Sequence, residues 1–216
     1  MNEEILIEAN GVELPGDLEV PAVACGVVIF AHGSGSSRLS TRNRFVASVL
    51  RDSGHFGTLL FDLLTPSEDE VYANRFDIDL LADRLEVATR DLIARPGLMD
   101  VPVGYFGAST GAAAAIVAAT RLPQVVQTVV SRGGRPDLAG EALSRLRAPV
   151  LLIVGGLDHQ VIELNEQALD LIPSTEKRLE IVPGATHLFE EPGALEQVAV
   201  LARDWFSLHL AGRTAG

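Results

Sequence analysis

Gly107-Ala108-Ser109-Thr110-Gly111 places a serine between two glycines, directly after the apolar run 103–106 and directly before an alanine-rich stretch. Small residues on both sides let a strand turn into a helix so sharply that the serine Oγ projects from the top of a sheet in a strained conformation. The helix that follows favours developing negative charge at its N-terminus. With 20 glycines in 216 residues, chance produces this pattern on the order of 0.1 times per chain. A serine alcohol is a weak nucleophile without a base, and the base needs an acid to hold its tautomer. Candidates for both follow later apolar runs. The run 151–154 ends in Gly155-Gly156-Leu157-Asp158, and the run 179–182 ends in Pro183-Gly184-Ala185-Thr186-His187. The chain order Ser109, Asp158, His187 is that of a nucleophile, acid and base mounted on successive strand ends of one sheet.

Other residues compete for these roles. Among the five histidines, His159 is adjacent to Asp158, but the side chains of sequence neighbours point apart. His32 reads as a loop-holding residue, His55 as part of a helix-to-strand turn and His209 as part of the last helix. Glu163 and Asp62 are the alternative acids. The segment His32-Gly33-Ser34-Gly35-Ser36-Ser37-Arg38 is a second unusual strand end. A glycine-rich loop before a helix can cradle phosphate, yet the third glycine of G-x-G-x-x-G is missing and no Gly-Lys-Ser/Thr follows. Arg38, Arg42 and Arg44 flank this loop, and Arg132 and Arg135 lie at a neighbouring strand end. They either attract a substrate carboxylate or pair with nearby acids on the surface. Arg38, Arg42 and Leu188 are the candidate substrate contacts.

The strand ends must be brought together by a frame. Continuous apolar runs rich in β-branched residues at 26–31, 58–61, 103–106, 125–130, 150–154 and 179–182 read as parallel strands buried on both faces. Helices are expected at about 41–51, 76–94, from 110 onward, 136–145, 161–171 and 193–209. In the longest, Leu81, Leu85, Ala88 and Leu92 fall on one face. Residues 1–22, turning at Asn10-Gly11, form an edge hairpin. The acidic stretch Ser67-Glu68-Asp69-Glu70 reads as a solvated loop, and residues 211–216 as a frayed tail. Strand-helix alternation in a single composition regime predicts one α/β domain over 1–216: three layers, a doubly wound and mostly parallel β-sheet, helices on both faces.

Composition narrows the function classes. Seventeen Lys and Arg face 29 Asp and Glu, a formal charge of −12 that repels phosphate backbones and anionic lipid surfaces. Neither nucleic acid nor membrane is an expected partner. The apolar stretch 112–119 is far shorter than the roughly 18–20 residues that span a bilayer. Met1-Asn2-Glu3-Glu4 lacks the basic and apolar regions of a secretory leader, and Cys25 is the only cysteine. A reducing, cytoplasmic setting is expected, with no structural zinc site, no organic cofactor, and a monomer or homodimer.

The motifs at 32–38, 107–111, 155–158 and 183–187 together make the chain resemble an α/β-hydrolase, and more narrowly the dienelactone-hydrolase-like group of small hydrolases. The resemblance runs from the strand before His32-Gly33 through the final helix. It implies Ser109 as nucleophile, His187 as general base and then acid, and Asp158 as the residue orienting the imidazole. It also implies an oxyanion hole from the backbone N–H groups of Ser34 and Thr110. Dienelactone hydrolases proper carry cysteine at the elbow. Here Ser109 stands there, so dienelactone itself is not the expected substrate. Only 131–148 separates the sixth strand from the seventh, which leaves no room for a large cap. The expected site is shallow, suited to small or medium esters and lactones. Acyl transfer at the same triad, or a ligand-binding homologue without catalysis, are the alternative functions.

Overall fold

A computed structural model describes residues 1–53 and 55–210; the expected frayed tail, 211–216, lies outside them. Eight strands form one sheet in the order β1-β2-β4-β3-β5-β6-β7-β8. They are β1 (Asn2–Ala9), β2 (Val12–Glu19), β3 (Gly26–Ala31), β4 (Phe56–Phe61), β5 (Val103–Ala108), β6 (Val126–Arg132), β7 (Val150–Gly155) and β8 (Lys177–Val182). The β2 strand runs antiparallel to both β1 and β4, and the other neighbouring pairs are parallel. The N-terminal hairpin is therefore more than an edge ornament, because β2 pairs on both sides and only β1 is left as the edge strand.

Every residue of β3, β4, β5 and β7 is buried, as continuous apolar runs require when helices cover both faces. The two edges show the opposite pattern. In β1, Ile5, Ile7 and Ala9 face inward between exposed residues, and β8 presents Lys177 and Arg178 to solvent. Exposed charge on a sheet edge discourages pairing with a second chain.

Among the described residues six α-helices complete the layers: α1 (Thr41–Asp52), α2 (Pro66–Asp69), α3 (Ile78–Ala94), α4 (Thr110–Arg121), α5 (His159–Leu171) and α6 (Ala194–His209). One core gathers α3 and α4 against the sheet, with Leu81, Leu85, Ala88 and Leu92 all buried as their spacing predicts; the other holds α1 and α6. Burying each of those leucines contributes roughly 1.5–3 kcal/mol.

Two expected helices differ in detail. The long one begins at Ile78, capped by the Asp77 carboxylate, and residues Tyr72–Phe76 form a separate 3₁₀ turn. Residues Pro136–Arg145 are also 3₁₀ turns, broken at Gly140, whose φ of 54° no helix continues through. The acidic stretch at 67–70 is not a solvated loop. Ser67, Glu68 and Asp69 belong to α2, where Thr65 and Glu68 form a reciprocal capping box, and Glu68 also receives a hydrogen bond from the buried Arg84 at 2.7 Å.

The register fixes the level of the strand ends. Ala31 lies opposite Gly107, Ala108 opposite Arg132, and Gly155 opposite Val182. The loops after β3, β5, β6, β7 and β8 consequently share one edge of the sheet. Strand order reverses between β3 and β5, and a crevice at such a switch point is where open α/β sheets bind ligands.

Candidate active site

Ser109 sits at this switch point with φ 51° and ψ −120°, a conformation that costs a non-glycine residue of order 1–3 kcal/mol. The flanking glycines explain how it is reached. A Cβ on Gly107 would run into the Ala112 backbone, and one on Gly111 into the Ala31 and His32 carbonyls. The turn can be this tight, with α4 pressed this close to β3, only without those atoms. Both backbone groups of the strained residue are held: its N–H donates to the Arg132 carbonyl at 3.3 Å, and its carbonyl accepts from Ala112 and Arg135 at 3.1 Å each.

Asp158 and His187 meet across 29 residues of sequence. His187 Nδ1 lies 2.6 Å from Asp158 Oδ2, and a carboxylate there requires the proton on Nδ1, leaving the Nε2 lone pair free to accept. Asp158 occupies the N-cap position of α5 but makes no side-chain cap bond, so its carboxylate is committed to the imidazole. The loop carrying His187 is pinned twice. Phe189, with φ 55°, is buried below it, and Glu191 closes it by accepting from Thr186 N at 3.1 Å and Thr186 Oγ1 at 2.6 Å. The Thr186 hydroxyl bond holds the Glu191 carboxyl below its ordinary pKa. Gly133 packs under this loop, where a Cβ would stand 3.0 Å from the His187 carbonyl and 3.6 Å from its Cε1. Ser109 and His187 are thus brought to the two sides of one short segment, 132–135. Among the described residues Ser109 Oγ has no hydrogen-bond partner, so its hydroxyl is free to meet a ligand.

The rival residues are placed elsewhere. His159 and Glu163 are exposed on α5. Asp62 is occupied by Arg38, accepting from its backbone N–H at 2.7 Å and its Nη1 at 2.8 Å. His55 is exposed, and His209 ends α6 with its ring tilted against that of Trp205, centroids 4.3 Å apart.

Beside the elbow, a Cβ on Gly33 would stand 3.0 Å from the Ser109 Cβ. This contact sets the loop after β3 against Ser109. Among the described residues, neither the Ser34 N–H nor the Thr110 N–H has an acceptor. Two unsatisfied amides flanking Ser109, one of them at the N-terminus of α4, form a site ready for an oxyanion. His32 holds the loop. Its Nδ1 donates to the Gly33 carbonyl at 3.0 Å and its Nε2 accepts from Leu63 N at 3.0 Å. Burial lowers its pKa and keeps the ring neutral, as this donor-acceptor pair requires.

The arginines divide. Arg38 is paired with Asp62 and lies 3.7 Å from Asp17, Arg44 pairs with Asp17 at 3.1 Å, and Arg135 pairs with Asp137 at 2.7 Å. Arg42 reaches Glu190 at 3.2 Å on the surface. Arg132 is buried, and Leu188, 40% exposed, follows His187. The Thr186–Glu191 clamp was invisible in the sequence. So was Asn165, fully buried on α5, whose Nδ2 donates to the Gly134 carbonyl at 3.0 Å and steadies the loop beside Ser109. A threonine and a glutamate five residues apart around a glycine-poor turn carry no distinctive signal.

This sheet, with a strained serine at the switch point and an Asp–His pair on later strand ends, defines an α/β-hydrolase fold without a large cap. The dienelactone hydrolase family profile matches residues 61–207, and the chain belongs to that family. A crystal structure of dienelactone hydrolase from Anabaena variabilis is 53% identical, with a TM-score of 0.92 over 97% of this chain and 98% of that one. Est1E from Butyrivibrio proteoclasticus shares the fold at 15% identity, with a TM-score of 0.80 over 97% of this chain and 99% of that one. A Mycobacterium tuberculosis protein named as a phosphoribosyl transferase is 59% identical over 211 residues, covering 98% of this chain and 47% of that protein. The chain therefore spans about half the length of the curated relatives it matches, and their name describes proteins more than half of which have no counterpart here. Among the described residues no helix is long and apolar enough to cross a membrane.

Proposed function

We propose that this member of a hydrolase family is a serine hydrolase that cleaves carboxylic ester or lactone bonds of small to medium substrates through an acyl-enzyme. The observation that carries this reading is the 2.6 Å bond between His187 Nδ1 and Asp158 Oδ2, which leaves Nε2 as a base at the edge where Ser109 projects. Ser109 Oγ attacks the carbonyl carbon while His187 Nε2 takes its proton. The Ser34 and Thr110 amides receive the oxyanion, and Asp158 stabilises the imidazolium. His187 then protonates the leaving alkoxide. A water, deprotonated by the same imidazole, releases the acid and restores the serine. The partner in this reading is a small neutral or acidic ester in a cytoplasmic setting, which the lone Cys25 fits.

Hydrolysis of p-nitrophenyl acetate and butyrate, with fluorophosphonate labelling as control, tests it. Turnover and labelling by the wild type, both lost in Ser109→Ala, are expected. Labelling without turnover would favour acyl transfer, and folded protein that does neither would be a ligand-binding homologue.

A further inference from the structure

Arg132 is a buried cation without a counter-ion. It is 7% exposed, and among the described residues no carboxylate lies within ion-pair distance of it. Its one hydrogen bond runs from Nη2 to the neutral Asn43 Oδ1 at 3.2 Å, and its Nε is buried with no acceptor. The neighbour of Asn43 on α1 is Arg42, whose Nε is likewise buried and unpartnered and whose like charge repels that of Arg132. The first turn of α1, a helix of 12 residues, contains no acidic side chain to answer its positive end. Two guanidinium groups and a helix N-terminus thus converge against each other, with only Glu190, itself 64% exposed, reaching Arg42 from outside. A buried, uncompensated guanidinium opposes folding. That is the signature of a site whose compensating charge arrives as a ligand.

We propose that Arg132, Arg42 and the N-terminus of α1 form a binding site for a phosphate-class dianion beneath the loop that carries His187. The charge balance favours a dianion, because a single negative charge already available from Glu190 leaves one guanidinium unmatched. The donor geometry favours a tetrahedral group. The two forks come from different elements, β6 and α1, whereas a planar carboxylate presents two oxygens suited to one fork. Binding displaces Glu190 from Arg42, so this carboxylate is the internal competitor of the ligand. The donors of this site are guanidinium groups and α1 rather than the Ser34 and Thr110 amides, so the proposal does not depend on the hydrolase reading.

Calorimetric titration of inorganic phosphate into the full chain at pH 7.5 and constant ionic strength tests this, with acetate and chloride as comparators. Saturable 1:1 binding is expected for the wild type and for Ser109→Ala alike, which keeps the outcome independent of the nucleophile assignment. Affinity should fall about tenfold or more in Arg132→Gln and in Arg42→Gln, given the strength of charge-assisted bonds. It should rise several-fold in Glu190→Gln and stay unchanged in the remote Arg203→Gln. If Arg132→Gln does not fold, Arg132→Lys retains the charge, loses the fork and should show the same weakening. Absence of saturable heat, or binding that Arg132 and Arg42 substitutions leave intact, would overturn the proposal. Acetate binding as tightly as phosphate would overturn the dianion assignment.

Discussion

Asp158 stands where helices recruit carboxylates as caps, yet it caps nothing and faces His187 instead. If the proposed function holds, the division between stability and catalysis can be read at this one residue. Asp158→Asn should lower kcat by about 10³- to 10⁴-fold, since an amide no longer fixes the productive tautomer, while leaving the melting temperature nearly unchanged. A parallel loss of stability would show that the carboxylate holds the fold rather than the base. His32 makes the converse case. Burial depresses its folded pKa below the ordinary 6.5, so the unfolded chain binds the proton more readily than the folded one. Its contribution is complete above about pH 6.5 and is lost as pH falls from there toward the depressed folded value. Urea unfolding at pH 7.5 and 5.5 should show the wild type weakening on acidification and His32→Gln lacking the His32 share of that slope. An identical slope in both would place the titration elsewhere.

At the scale of elements, the strands and the placement of Ser109, Asp158 and His187 at strand ends were legible because they rest on local rules. A parallel strand reads as an apolar run, and a nucleophile elbow needs glycines at 107 and 111 whatever surrounds it. The features that escaped depend on partners distant in sequence. Glu68 looked like one of several solvated acids, but it meets Arg84, 16 residues on, whose side chain is 3% exposed and also reaches the Ala9 carbonyl. The arginines at 38, 42, 44, 132 and 135 were equivalent as text, and only the fold shows which have carboxylates and which does not. The 3₁₀ character of Pro136–Arg145 escaped because its apolar spacing matches a helix while Gly140 interrupts the backbone. Glu68→Ala tests the first of these. It strands a buried guanidinium and removes a capping box, and should cost about 3–5 kcal/mol in chemical denaturation. A loss below about 1 kcal/mol, the range of a surface pair, would mean that Arg84 is satisfied by the Ala9 carbonyl alone.

The whole molecule constrains what can reach Ser109. In α/β sheets the space above the strand ends is covered only by what the connecting loops supply. Here the β6–β7 connection is spent on 3₁₀ turns whose Ala139, Ala142 and Leu143 are buried in the core shared with α4. None of that connection is left to build a cap, and His187 belongs to a half-open rim, with its side chain 40% exposed. An acyl chain longer than the crevice then gains no further burial, and each added methylene stays in water rather than contributing its roughly 0.8 kcal/mol of transfer. The dependence of kcat/KM on p-nitrophenyl ester length should therefore peak among short chains, at about two to six carbons, and decline beyond. A steady rise through decanoate would require an apolar channel that these loops do not build, and would place the acyl group along the exposed Tyr72 and Phe76 side chains instead.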